Sequence, residues 1–164
     1  MIEAYDLSHR VGEHLRTRAL TLSVAESCTG GLLGDCLTDV PGSSDYFLGG
    51  VLSYSNDAKH RLLGVGDDTL TNHGAVSAEC AREMAQGARR LLHSDMGISV
   101  TGIAGPGGGT DGKPKGLTFL CLAAADREIS RSELWPGDRR ANKESSALAA
   151  LQMLSDYLED SANG

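Results

Sequence analysis

The segment "SVAESCTGG", residues 23–31, changes its periodicity in mid-course. Upstream, from Leu20, the apolar Leu20, Leu22 and Val24 alternate with Thr21, Ser23 and Ala25, the two-residue period of a strand. Downstream, Leu32, Leu33, Cys36 and Leu37 recur at helical spacing. A strand passing through a Gly-Gly turn into a helix is the building unit of an α/β fold. The same turn sets Ser27, Cys28 and Thr29, three potential nucleophiles, at the carboxyl end of the strand, where open α/β sheets place their ligand sites.

Outward from this unit, residues 6–18 predict an amphipathic helix with Leu7, Val11, His14 and Leu15 on one side. "LGGVLSYS" (48–55) predicts a strand, and "NDAKHRLLGV" (56–65) a helix closed by Gly64. Ser77 is placed to cap a helix with Glu79 in its first turn. That helix runs to about Leu92, with Ala81, Met84, Ala85, Ala88, Leu91 and Leu92 on its buried face. A strand at 96–102 leads into the glycine- and proline-rich "GIAGPGGGTDGKPKG", and the apolar run 117–125 predicts a central strand. Asp126-Arg127 turn that strand into "EISRSEL", and a last helix begins near Arg139 with Ala147, Leu148, Leu151, Leu154 and Leu158 inward. The expected architecture is a single domain over 1–164, an α/β/α sandwich with a mixed parallel and antiparallel sheet, whose tail "DSANG" (160–164) frays.

Composition narrows the function classes. A chain of 164 residues buries about two-thirds of its unfolded surface and needs no staple. With aromatic content of only 4% and 21 glycines, the core must be aliphatic and the turns tight. A net charge of −7 argues against a broad basic face, so neither nucleic acid nor a membrane is an expected partner. No apolar run reaches the roughly 18–20 residues that span a bilayer. Cys28, Cys36, Cys80 and Cys121 form no CxxC pair, and the amino terminus is not signal-like. They are read as reduced, mostly buried thiols of a cytoplasmic protein. No His, Cys and carboxylate cluster has metal-ligand spacing, so neither a metal nor another cofactor is expected.

Three features raise Ser27 above a simple turn residue: the strand end, the unpaired N–H groups of the following helix, and Gly30 and Gly31, which let a substrate approach that backbone. Nucleophile plus fixed donors is the arrangement acyl transfer needs, with N–H groups of Thr29 to Gly31 as the expected oxyanion hole. A histidine base is missing. His9, His60 and His93 lie in charged stretches, His14 faces a core and His73 sits in a turn. A lysine of lowered pKa can replace histidine, and Lys59 lies one turn into a helix, although by itself it reads as an exposed helical lysine. Cys28 competes as a thiol at a helix start. "TGIAGPGGG" resembles a phosphate cradle but is neither GxGxxG nor Walker A, and by glycine count it reads equally as a flexible loop.

Four blocks in order, "AESCTGGLLGDCLTDVPGSSDYFLGGVLSYSNDAKHRLLGV", "GAVSAECAREMAQGAR", "VTGIAGPGGG" and "PGDRRANKESSALAAL", resemble the CinA carboxy-terminal domain family over residues 8–158. That resemblance implies a nicotinamide-nucleotide amidase, converting nicotinamide mononucleotide to nicotinate mononucleotide and ammonia. It implies Ser27 as nucleophile, Lys59 as base and Tyr54 in support. Thr29, Gly30, Gly31, Thr101, Gly102, Gly105, Gly107 and Arg139 are then expected to line the substrate pocket. It further implies a homo-oligomer acting on a small nucleotide without a metal, here as a stand-alone amidase form. A non-catalytic nucleotide-binding module of the same fold is the alternative. Lys115 departs from the family pattern, which carries an apolar residue there, and the acidic "GDD" at 66–68 is individual to this chain.

Overall fold

The computed structural model describes residues 2–161. In chain order the elements are helix α1 (Ile2–Thr17), strand β1 (Leu22–Glu26), helix α2 (Leu32–Thr38), strand β2 (Phe47–Leu52), helices α3 (Asn56–Leu63), α4 (Asp67–Asn72) and α5 (Ala78–Leu92), strands β3 (Met96–Gly102), β4 (Leu117–Ala123) and β5 (Glu128–Leu134), and helix α6 (Arg139–Asp160). The five strands form one sheet in the order β2-β1-β3-β4-β5. Strand β1 pairs in parallel with both β2 and β3, whereas β3, β4 and β5 pair antiparallel. The expected α/β class and mixed sheet are therefore present.

The alternation around Leu22 sorts residues by size, since β1 is buried on both faces. Leu22 and Val24 join Ile98, Val100, Leu120 and Leu122 beneath α1, α2 and α6. On the opposite face the small Ala25, Cys121 and Ala123 lie against Ala81, Ala85 and Ala88 of α5. Small side chains let α5 approach closely: a Cβ on Gly97 would fall 2.3 Å from the Ala85 carbonyl oxygen. The Ser77 cap forms as expected, its hydroxyl accepting from Cys80 N–H.

Several expected boundaries shift. Helix α1 starts at Ile2 rather than residue 6, because Ala4 packs on the core beside Leu7. Strand β2 stops at Leu52, and residues 53–55 form the turn that caps α3 through Ser55. Leu91 is 49% exposed, and it is Leu92 that lies over edge strand β2, 3.8 Å from a Cβ placed on Gly49. Helix α4, where "GDD" provides the acidic start, adds a short helix to the expected set. Asp160 is helical; of the tail expected to fray, residues 162–164 lie outside the described residues. The loop between β3 and β4 is tied at its neck, Ile103 N–H donating to Leu117 O and Gly116 N–H to Ile103 O.

Candidate active site

The carboxyl ends of β2, β1 and β3 converge on one cleft of about 270 Å³. Ser27 follows β1 directly and is held between both neighbours. Its N–H donates to Val100 O of β3 at 2.9 Å, and Ser53 N–H beyond β2 donates to Glu26 O at 2.9 Å. Lys59 enters from α3, which Ser55 caps at one end and Gly64 closes at the other with φ 70°. Its Nζ lies 3.0 Å from Ser27 Oγ and 2.6 Å from Ser53 O. Lys59 is only 1% exposed, so the expectation of an exposed helical lysine is overturned: the amine crosses the cleft floor toward the serine.

Burial drives the Lys59 amine below its ordinary pKa, opposed by charge on Cys80 and Cys28. Those two thiols are themselves pushed up to about 11, chiefly by burial, and near neutral pH they carry no charge to oppose it. The same shift answers the competing claim of Cys28: although it lines the cleft, it is a buried thiol and not a thiolate.

Among the residues singled out from sequence, Ser27, Tyr54, Lys59, Thr101, Gly102, Gly105, Gly107 and Arg139 all line this cleft. Thr101 directs its hydroxyl to Ala75 O at 2.7 Å, which fixes the opposite wall. Tyr54 contacts neither Ser27 nor Lys59 through hydrogen bonds. Its hydroxyl accepts instead from Arg139 Nη2 at 2.9 Å, while Arg139 Nη1 donates to Gly105 O at 2.7 Å. The expected support of the Ser-Lys pair by Tyr54 is thereby corrected to a bridge across the cleft mouth. Asn56 also lines the cleft, and as the first residue of a capped helix it gave no sign of this in the sequence.

Thr29, Gly30 and Gly31 fall outside the cleft and line a neighbouring depression with Arg140 and Lys143. For Gly30 and Gly31 the expected part in an oxyanion hole is corrected by a residue the sequence did not flag. Glu26, 1% exposed, turns its carboxylate onto the start of α2 and accepts from Gly31 N–H (3.0 Å), Leu33 N–H (3.1 Å) and Gly34 N–H (2.8 Å). Gly30 N–H is likewise taken, by Ser27 O. Three of the donors that a helix start ordinarily leaves open are already used. No carboxylate lines the cleft, although the chain has 22 acidic residues. No histidine lines it either, and no group of three or more metal-ligating side chains occurs among the described residues.

Comparison with known proteins places this geometry. The profile of the CinA C-terminal domain matches residues 4–158. The chain belongs to the CinA C-terminal domain family. It is 49% identical over 154 residues to a putative competence-damage inducible protein of Halothermothrix orenii, covering 93% of this chain and 37% of that protein. A CinA-like protein of Thermotoga maritima is 47% identical over 145 residues, 88% of this chain and 35% of its own length. The chain thus spans about a third of the length of these CinA relatives. Among solved CinA-type structures, the competence/damage inducible protein CihA from Agrobacterium tumefaciens superposes with a TM-score of 0.92 at 38% identity, over 96% of both chains. No helix among the described residues is long and apolar enough to cross a membrane.

Proposed function

We propose that this CinA domain hydrolyses the carboxamide of nicotinamide mononucleotide, releasing nicotinate mononucleotide and ammonia, with Ser27 as nucleophile and neutral Lys59 as base. The observation that carries this reading is the buried 3.0 Å contact between Ser27 Oγ and Lys59 Nζ at the floor of a cleft. A lysine kept neutral by burial can take the serine proton, and its donation to Ser53 O orients the lone pair.

Ser27 Oγ attacks the carboxamide carbon as its proton passes to Lys59 Nζ. The oxyanion falls to the N–H groups next to the nucleophile, those of Cys28 and Thr29; the residue following a nucleophile commonly fills this role. Collapse of the adduct breaks the C–N bond, and the Lys59 proton leaves with ammonia. Water then attacks the Ser27 ester, passes a proton to Lys59, and the carboxylate product departs as Ser27 regains its own. The carboxamide is activated by the electron-withdrawing pyridinium ring. The carboxylate-free lining and Arg139 suit the substrate phosphate.

The test is ammonia release from nicotinamide mononucleotide by the purified protein without added metal. Turnover abolished by Ser27→Ala supports the reading. Tight nucleotide binding with no ammonia removes it in favour of a non-catalytic binding module.

A further inference from the structure

The geometry points to Glu26 as the positioning residue of the nucleophile turn, holding residues 27–31 in the arrangement that presents Ser27 Oγ to Lys59 Nζ at 3.0 Å. This builds on the assignment of Ser27 as nucleophile. Across residues 27–34 five of the eight backbone donors are committed. Ser27 N–H goes to Val100 O and Gly30 N–H to Ser27 O, while Gly31, Leu33 and Gly34 all go to Glu26. Within the turn itself only the N–H groups of Cys28 and Thr29 are given to no oxygen of the described residues, and that of Cys28 lies against its own thiol.

The fully buried carboxylate of Glu26 is anchored on both sides. Its own backbone is the last residue of β1, in register with Leu52 of β2 and Val100 of β3. Its side chain reaches across the turn to the start of α2. A rigid strand and the helix it feeds are thus joined by one side chain that spans the nucleophile between them. The oxygens divide the work, Oε1 taking Gly34 N–H and Oε2 taking those of Gly31 and Leu33. An amide at this position can accept on one side only and turns an NH₂ toward an N–H on the other.

Glu26→Gln keeps the volume and removes that double acceptance. Displacement of a reacting group by about 1 Å commonly costs on the order of 10²-fold, so acylation of Ser27 should slow by about 10- to 100-fold. The affinity for nicotinamide mononucleotide should stay within about twofold, because Glu26 does not line the cleft. Glu26→Asp, which keeps the carboxylate on a shorter arm, should lie between wild type and the glutamine variant. It decides the matter should Glu26→Gln fail to fold.

The experiment measures the burst of p-nitrophenol from p-nitrophenyl acetate, with the acetyl group located on Ser27 by mass spectrometry, beside equilibrium binding of the nucleotide and thermal unfolding. A slow burst with unchanged nucleotide affinity supports the assignment. A wild-type burst rate in folded variants whose melting temperature alone has dropped overturns it, since that is the mark of a purely structural clasp. Wild-type protein that acylates on Ser27 but releases no ammonia from nicotinamide mononucleotide removes the amidase reading and leaves Glu26 in place. Wild-type protein that neither acylates on Ser27 nor releases ammonia overturns both; where ammonia is released without a p-nitrophenol burst, the variants are compared by the pre-steady-state release of ammonia.

Discussion

Gly87 sets two physical effects of opposite sign against each other. It lies in the interior of α5, where alanine ordinarily stabilises a helix by about 1 kcal/mol. A Cβ at this position, however, would fall 2.0 Å from the carbonyl oxygen of Leu63, 2.7 Å from its carbonyl carbon and 2.8 Å from its Cα. All three are backbone atoms of the last residue of α3, so no side chain can rotate away. The two helices must part by about 1 Å or more to restore ordinary contact. Overpacking of this kind costs about 3 kcal/mol, leaving a net loss of about 2 kcal/mol for Gly87→Ala. For a chain of this size that lowers the melting temperature by about 4–8 °C. The displacement also reaches the site, because Lys59 is one turn before Leu63 on the same helix. Moving α3 lengthens the Lys59–Ser27 contact, and turnover of nicotinamide mononucleotide should fall by about 10²-fold. Differential scanning calorimetry and an ammonia assay measure the two quantities on one preparation. A Gly87→Ala protein that melts at or above the wild-type temperature with full turnover would refute the close-approach argument.

Other expectations address the site directly. Ser27→Ala should reduce kcat by about 10⁴- to 10⁶-fold while Cys28→Ala stays within about tenfold, and the reverse ranking in steady-state kinetics would make the thiol the nucleophile. Activity should rise with pH through an apparent pKa below the ordinary lysine value of about 10.4, and Lys59→Arg should be nearly inactive across that profile. Between the lowered folded pKa and the ordinary value, the unfolded chain binds the extra proton. Stability should therefore climb with pH in that window, and Lys59→Met should flatten the slope in denaturant titrations. Arg139→Ala should cost about 10- to 150-fold in kcat/KM on nicotinamide mononucleotide and little on nicotinamide riboside, with equal losses on both showing a structural role instead. Tyr54→Phe, which removes only the acceptor of Arg139, should raise KM a few-fold with kcat nearly intact; a collapse of kcat would restore a direct part for Tyr54 in the chemistry.

Much of this architecture is legible in single-residue patterns. The change of period at 26–32, the Ser77 cap and the Gly64 stop mark local events, and each element formed where its own chemistry demanded. The boundaries that moved depend on distant partners. Leu91 is exposed because the last turn of α5 turns Leu92 toward β2, near Gly49, 43 residues earlier in the chain. The site divides in the same way. Ser27 is marked by its position at a strand end, but the burial of Lys59 arises only when α3 folds back over the cleft. Glu26, a glutamate at a strand end, carries no local mark of its role. Its importance lies in three backbone contacts five to eight residues ahead, which no periodicity announces. Tyr54 and Arg139, 85 positions apart, likewise reveal their bridge only in three dimensions.

The tied neck of the β3–β4 loop bears on how such a protein can change. Ile103 pairs with Gly116 and Leu117 on one side of the cleft, and Gly116 O accepts in turn from Trp135 N–H beside β5. Everything distal to that clasp hangs from a fixed base, and a side chain added at Gly107 or Gly112 would meet nothing within 4 Å. At Gly107 and Gly112 residues can therefore be exchanged without moving the sheet register or the serine, whereas Gly105 is held by Arg139 and Lys113 by His73 O. New substrate preferences are open to selection through one short surface segment, while the elements that make the nucleophile stay under the constraint of the core.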